Sequence, residues 1–107
     1  MPRHHRLDLT QAERLGARLR QAREARELTQ EQVALAAGIN RNHYQLLEQG
    51  RAATPSVQRR DGELRPSNPT LATLLELSRV LDVPVAFVIV DVFGPSDDVV
   101  VEYLERR

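Results

Sequence analysis

The sequence predicts an all-α fold, and three observations carry that prediction. Thr10-Gln11-Ala12-Glu13 and Thr29-Gln30-Glu31-Gln32 both read as capping boxes ahead of apolar residues at helical spacing. Gly38 and Gly50 close two short segments at positions where a helix end favours positive φ. Leu71, Leu74, Leu75, Leu77 and Leu81 then recur three and four apart, as one face of a further helix.

Taken in order, residues 1–9 read as a basic arm. A first helix over 11–26 places Leu15, Leu19 and Ala22 on one face. Thr29 caps a short second helix with a small-residue face, Val33, Ala34, Ala36 and Ala37, and Gly38 ends it. Ile39 is an apolar plug after that glycine. Asn40 is a good N-cap for a third helix, on which Tyr44 and Leu47 share a face and which Gly50 ends. Residues 51–69 lack helical periodicity and hold Pro55, Pro66 and Pro69 with Arg51, Arg59, Arg60 and Arg65. Asp61-Gly62 suits a two-residue hairpin turn, with 57–60 and 63–66 as its arms. Two polar arms are only marginally stable alone, so an irregular loop stands as the alternative. Pro69 and Thr70 head the fourth helix. Residues 85–93 are apolar and rich in β-branched side chains, compatible with a strand, whereas Pro84 at a first helical position favours a helix. Ser96 can cap a last helix over 97–107 with Val99, Val100, Tyr103 and Leu104 on one face.

The chain has 107 residues, the size of one domain, and 41% are hydrophobic, a globular composition. It has no cysteine, which excludes a disulfide framework, a thiolate metal site and a cysteine nucleophile. No apolar run reaches the ~18 residues of a membrane span, and Met1–Leu7 is not followed by a signal-peptide apolar region. His4, His5 and His43 show no metal-ligand spacing. No phosphate loop, nucleophile elbow or catalytic carboxylate pair appears, so an enzyme is not expected. Net charge is zero, yet residues 1–69 hold 12 Arg against 8 acidic residues, and residues 70–107 hold 3 against 7. All 15 basic residues are Arg, the better partner for phosphates and base edges, although GC-rich coding gives the same bias. The asymmetry suggests a polyanion partner for the N-terminal part.

Residues 28–50 carry the functional signal. A capped short helix, Ala37-Gly38-Ile39 and a second capped helix make a helix-turn-helix, whose second helix can enter a DNA major groove. Its leading residues are Arg41, Asn42 and His43, followed by Gln45. Arg suits guanine, and Asn and Gln suit adenine. An ordinary exposed helix face would carry similar residues.

Residues 15–50 and 69–88 resemble the Cro/cI-type helix-turn-helix family, also called XRE or lambda-repressor-like. The resemblance rests on 15–23 (LGARLRQAR), 28–34 (LTQEQVA), 37–40 (AGIN), 47–50 (LEQG) and 68–74 (NPTLATL), with Leu77, Leu81 and Val83. It implies a five-helix bundle, here with a long loop between helices 3 and 4 and a C-terminal extension, and a dimeric DNA-binding regulator. By position it gives Arg41, Asn42, His43, Gln45 and Leu46 to the groove. Thr29, Gln30, Gln49 and Arg51 would touch the backbone, with Gln30 also bracing Arg41. It further implies that Arg23 pairs with Glu48. Both residues lie beside apolar faces, Arg23 four past Leu19 and Glu48 next to Leu47, where opposite charges need each other.

Three features depart from the family pattern. Leu46 replaces a usual polar residue and could meet a thymine methyl. Tyr44 replaces a small aliphatic core residue, so its hydroxyl needs a partner or a path to water. The long 51–68 connection suggests a basic wing through Arg59, Arg60 and Arg65.

Val88, Val92, Phe93, Val100, Tyr103 and Leu104 exceed the needs of such a core and are expected at a homodimer interface. The organisation is therefore an arm (1–9), a helix-turn-helix domain (10–93) and an extension (94–107). The expected partner is double-stranded DNA, with no cofactor, metal or membrane, in a cytoplasmic, nucleoid-associated setting. The acidic C-terminal part is a candidate contact for a protein partner. An antitoxin that binds DNA and a toxin, or an interaction module without DNA binding, remain the alternative functions.

Overall fold

Each of the first four helices starts where a side chain takes up its first free amides. The computed structural model describes residues 6–52 and 65–92, and there the backbone forms five helices. These are α1 (Leu9–Ala25), α2 (Gln30–Ala37), α3 (Arg41–Gln49), α4 (Leu71–Leu81) and α5 (Val85–Ile89). Thr29 and Gln32 form the expected capping box of α2, at 3.0 and 2.9 Å. Asn40 Oδ1 accepts from the Asn42 and His43 amides, and Thr70 Oγ1 accepts from Thr73.

Helix α1 departs from the sequence reading. Its capping box is Asp8 with Gln11, at 2.8 and 3.0 Å, and Thr10 is already helical. A carboxylate at this position also meets the positive end of the helix dipole, which a hydroxyl does not. The arm is correspondingly shorter than 1–9, because Leu9 is helical and Leu7 packs on the core. Pro84 is the N-cap of α5 rather than its first residue.

Helices α1 to α4 share one way of stopping. Glu27 (φ 57°), Gly38 (φ 73°), Gly50 (φ 77°) and Asp82 (φ 55°) each turn left-handed. The next amide then reaches back five residues, from Leu28 to Arg23, Ile39 to Ala34, Arg51 to Leu46 and Val83 to Ser78, at 2.9–3.2 Å. This satisfies carbonyls the helix leaves open. Leu28, Ile39 and Val83 follow through onto the core. Two of these stops lack glycine and left no signal in the sequence.

The core gathers Leu15, Leu19 and Ala22 of α1 with Val33, Ala34, Tyr44, Leu47, Leu74, Leu77, Leu81 and Phe87. Helix α1 lies against α3 and α5, α2 against α3 and α4, and α4 against α5. Val88 and Val92 belong to this core, being 0% and 5% exposed, and so are not free for an interface between copies. Helix α5, flanked by α1 and α4, turns Val88 inward, and Val92 is buried in the turn that follows it. Conversely, Leu71 and Leu75 stay 65% and 50% exposed, since the leucine stripe of α4 is wider than the face its neighbours cover.

The long connection is pinned at its base. Ala52 donates to the Arg65 carbonyl at 2.8 Å and Ser67 to the Gly50 carbonyl at 2.9 Å, with Arg51 opposite Pro66 as an antiparallel bridge. The Asp61-Gly62 turn, with residues 57–60 and 63–64 of its expected arms, lies outside the described residues. Arg59, Arg60, Phe93, Val100, Tyr103 and Leu104, with the proposed helix over 97–107, lie outside the described residues.

Gly16 sets the approach of α1 to α3. It is buried, and a Cβ there would meet the carbonyl oxygens of Leu47 and Glu48, the latter at 2.5 Å. Backbone cannot retreat as a side-chain tip can, so Gly16→Ala should destabilise the domain by about 3 kcal/mol. A urea-unfolding midpoint equal to that of the parent would show that the helices are not this close.

Candidate nucleic-acid interface

The third helix is oriented by charge as well as by packing. Arg23 Nε donates to Glu48 Oε2 at 2.6 Å and Arg23 Nη2 to Glu48 Oε1 at 3.1 Å, a two-pronged pair between α1 and α3. The side chains are only 14% and 4% exposed, as the sequence implied for a structural pair. The remaining Arg23 prong donates to the Leu28 carbonyl at 2.9 Å, in the turn before α2. Gln30 Nε2, at the head of α2, donates to Glu48 Oε1 at 2.9 Å. Gln30 therefore braces Glu48 and not Arg41, because a half-buried carboxylate still has a lone pair to fill there.

Tyr44 completes the cluster. Its ring is fully buried, and its hydroxyl has neither a path to water nor a well-formed hydrogen bond, although it lies close to Glu48. Burial, then the neighbouring carboxylate, push its pKa far above the ordinary value. For Glu48 burial alone would raise the carboxyl pKa. The Arg23 guanidinium, with the Tyr44 and Gln30 side chains, outweighs burial and holds it below the ordinary range. The Glu48 carboxylate in turn raises the pKa of Arg23.

With Tyr44 and Leu47 turned inward, the opposite face of α3 is left outward. Arg41, Asn42 and Gln49 are exposed, and His43, Gln45 and Leu46 are half-buried. Leu46 thus sits on the flank of the helix and not at its crest. The Thr29 hydroxyl accepts the Gln32 amide and keeps its own proton free to donate. Arg51 is half-buried at the end of α3, its Nε buried and without a hydrogen bond, while Arg65 is exposed at the base of the long connection. Arg6, which the sequence places only within the basic arm, lines the same hollow as Asn40, Asn42 and Arg51 at the head of α3. No local signal foretells that neighbourhood, in which the Leu7 amide donates to Asn68 Oδ1.

A short helix, a glycine turn and a second helix with an outward polar face define the helix-turn-helix class of DNA-binding proteins. The family model described as "Helix-turn-helix domain" matches residues 14–87, and the chain belongs to that family. Among solved structures, the restriction-modification controller protein C.AhdI from Aeromonas hydrophila is similar, at 27% identity and a TM-score of 0.55. The likeness covers 72% of this chain and 94% of that one. No curated protein matches the chain. Among the described residues, no helix is long and apolar enough to cross a membrane, and no group of three His, Cys, Asp or Glu could hold a metal ion.

Removing Glu48 leaves a buried guanidinium and Gln30 unmatched. Glu48→Ala should therefore lower stability by about 3 kcal/mol, read from chemical denaturation. An unchanged melting temperature would dismiss the pair as a brace. A carboxyl held below its unfolded value of about 4.5 stabilises the fold fully above that pH. The contribution is lost as pH falls through the lower folded value. Stability should decline as pH falls below about 4.5, and less steeply in Glu48→Gln. Parallel profiles for the two chains would assign the acid sensitivity elsewhere.

Proposed function

We propose that the chain is a sequence-specific transcription regulator that binds double-stranded DNA as a homodimer at a palindromic operator and represses by occupying a promoter. The observation that carries this reading is the outward face of α3. Arg41 and Asn42 are exposed there and Gln45 is half-buried, all of types that suit base edges, and no hydrogen bond or ion pair within the described residues engages their side chains. Around that helix, Arg6, Arg41, Arg51 and Arg65 form no ion pair among the described residues, whereas Arg18, Arg20, Arg23, Arg26 and Arg79 are each paired. Unpaired cations are those free to meet phosphate.

In this reading Arg41, Asn42 and Gln45 read bases, with His43 and Leu46 at the margin. Thr29, Gln49, Arg51 and Arg65 hold phosphates, and Gln30 acts first as a brace of Glu48. Arg59 and Arg60 would extend the basic surface as a wing. Leu71, Leu75 and Ile89, 65%, 50% and 44% exposed, supply apolar area on α4 and α5 for the second copy. Two recognition helices then lie ~34 Å apart, one turn of DNA. Likeness to a controller of restriction-modification supports a regulatory, non-enzymatic role. A protein partner of the acidic C-terminal part would act on DNA occupancy.

The test is binding to duplex DNA from upstream of the chain's own gene, over a series of salt concentrations. Two chains should bind each duplex. Arg41→Ala, Asn42→Ala or Gln45→Ala should each cost ~1–3 kcal/mol of discrimination against unrelated DNA. Arg51→Gln should instead weaken both DNAs alike and lower the salt slope by about one. Deleting residues 56–65 should lower that slope further. Equal affinity for both DNAs, unchanged in the α3 variants, would refute base readout and favour an interaction module.

A further inference from the structure

Two hollows adjoin the head of α3, and they differ in charge. One is lined by Arg6 and Arg51 with Asn40 and Asn42, and by no acidic side chain. The other, of about 480 Å³, is lined by Arg41 and by the turn from α1 into α2, with Glu27, Thr29, Gln30 and Glu31. Arg23 lines it too, but its charge is taken up by Glu48, and Gln30 is committed to the same carboxylate. That leaves one guanidinium, Arg41, facing the same opening as two carboxylates, Glu27 and Glu31. All three are exposed and enter no ion pair among the described residues.

Glu31 has an ordinary reason for its place, since it lies in the first turn of α2, at the positive end of the helix dipole. Glu27 has no such reason. It holds a left-handed φ of 57°, which a glycine adopts without steric cost and a glutamate does not. A side chain kept in a costly backbone conformation, with no partner of its own, points to a use at the neighbouring site. The neighbour here is the first residue of the recognition helix.

Carboxylates beside an arginine act unequally on its two kinds of partner in DNA. A phosphate bears a full negative charge and is repelled by each of them. The edge of a guanine offers neutral acceptors and is affected far less. An arginine without such neighbours binds any backbone it meets, which adds affinity and no discrimination. We propose that Glu27, with Glu31 in support, is a specificity determinant of this chain, turning Arg41 from phosphates towards base edges. The inference rests on the DNA-binding reading above and adds to it residues that make no contact with the bases. Specificity is a difference of two affinities, and repelling the wrong partner raises it as surely as attracting the right one.

The full chain is titrated with the duplex from upstream of its own gene and with an unrelated duplex of equal length, at low and at high salt. Glu27→Gly and Glu31→Gln should each tighten binding of the unrelated duplex about twofold at low salt, and of the upstream duplex less, with the gain fading as salt rises. The two together should give about fourfold. Glycine suits the left-handed turn, so Glu27→Gly should melt no lower than the parent, which separates lost discrimination from a damaged fold. In an Arg41→Ala background the same substitutions should lose most of their effect on discrimination. Glu76→Gln, on α4 and outside the hollow, makes the same change of charge and should leave the ratio of the two affinities as it was. No gain, an equal gain for both duplexes, a gain matched by Glu76→Gln or one that persists with Arg41→Ala would overturn the proposal while DNA binding stands. A parent chain that does not distinguish the two duplexes would refute sequence-specific binding, and this inference with it.

Discussion

The carboxylate of Glu48 is the point on which the functional half of the molecule turns. It receives two prongs of Arg23 from α1 and the amide of Gln30 from α2, while itself belonging to α3. Because Arg23 also holds the Leu28 carbonyl, the connection into α2 is fixed by the same group. An ion pair so poorly exposed contributes little net stability compared with apolar packing, since desolvating both charges offsets their attraction. Its value is directional. Apolar contacts among Leu19, Val33 and Leu47 would tolerate small rotations of α3, whereas a two-pronged pair does not. Gly16 adds the second restraint by letting the α1 backbone sit directly against the Leu47 and Glu48 carbonyls. The outward face of α3 is therefore aimed by contacts on its inward face.

The internal use of arginine alters the meaning of the charge split. Arg18 pairs with Asp91 at 3.0 Å and stands 5.8 Å from the centre of the Phe87 ring, while Arg14 reaches the Val92 carbonyl. Arg26 serves the carbonyls of Leu81 and Asp82, closing the far end of α4. These side chains are mortar between α1 and the C-terminal helices. The positive excess of the first part of the chain is thus divided between braces and a smaller set of free cations around α3. The acidic excess of the later part includes partners of those braces, such as Asp91 and Asp82.

Residues 28–50 were legible in the sequence because their signals are local. A hydroxyl or amide cap and a glycine stop are decided within four residues, and Thr29, Gly38, Asn40 and Gly50 all act as their types suggest. Legibility ended where tertiary contacts chose between locally equal options. Asp8 and Thr10 are both competent caps, and the choice of Asp8 goes with Leu7 packing on the core and bonding to Asn68. Glu27 and Asp82 adopt the left-handed turn without being glycine, held there by the bonds of the residues that follow. Val88 and Val92 read as surplus apolar residues in the sequence, and only the packing of α5 and the following turn against α1 and α4 makes them core. On the site itself, the residue types of α3 were readable. The tie of Gln30 to Glu48 and the place of Arg6 depend on the whole bundle.

The clasp at residues 50–52 and 65–67 has a consequence for how this domain can change. Its hydrogen bonds hold the ends of the connection together independently of what lies between them. The entropic cost of closing a chain between fixed ends grows only with the logarithm of its length. Doubling the segment would add roughly 0.6 kcal/mol, less than the loss of one good hydrogen bond. The helices on either side need not move to accommodate it. This junction is therefore a port at which the domain can gain or lose sequence, and with it new contacts beside the recognition helix, while the bundle that aims the helix stays as it is.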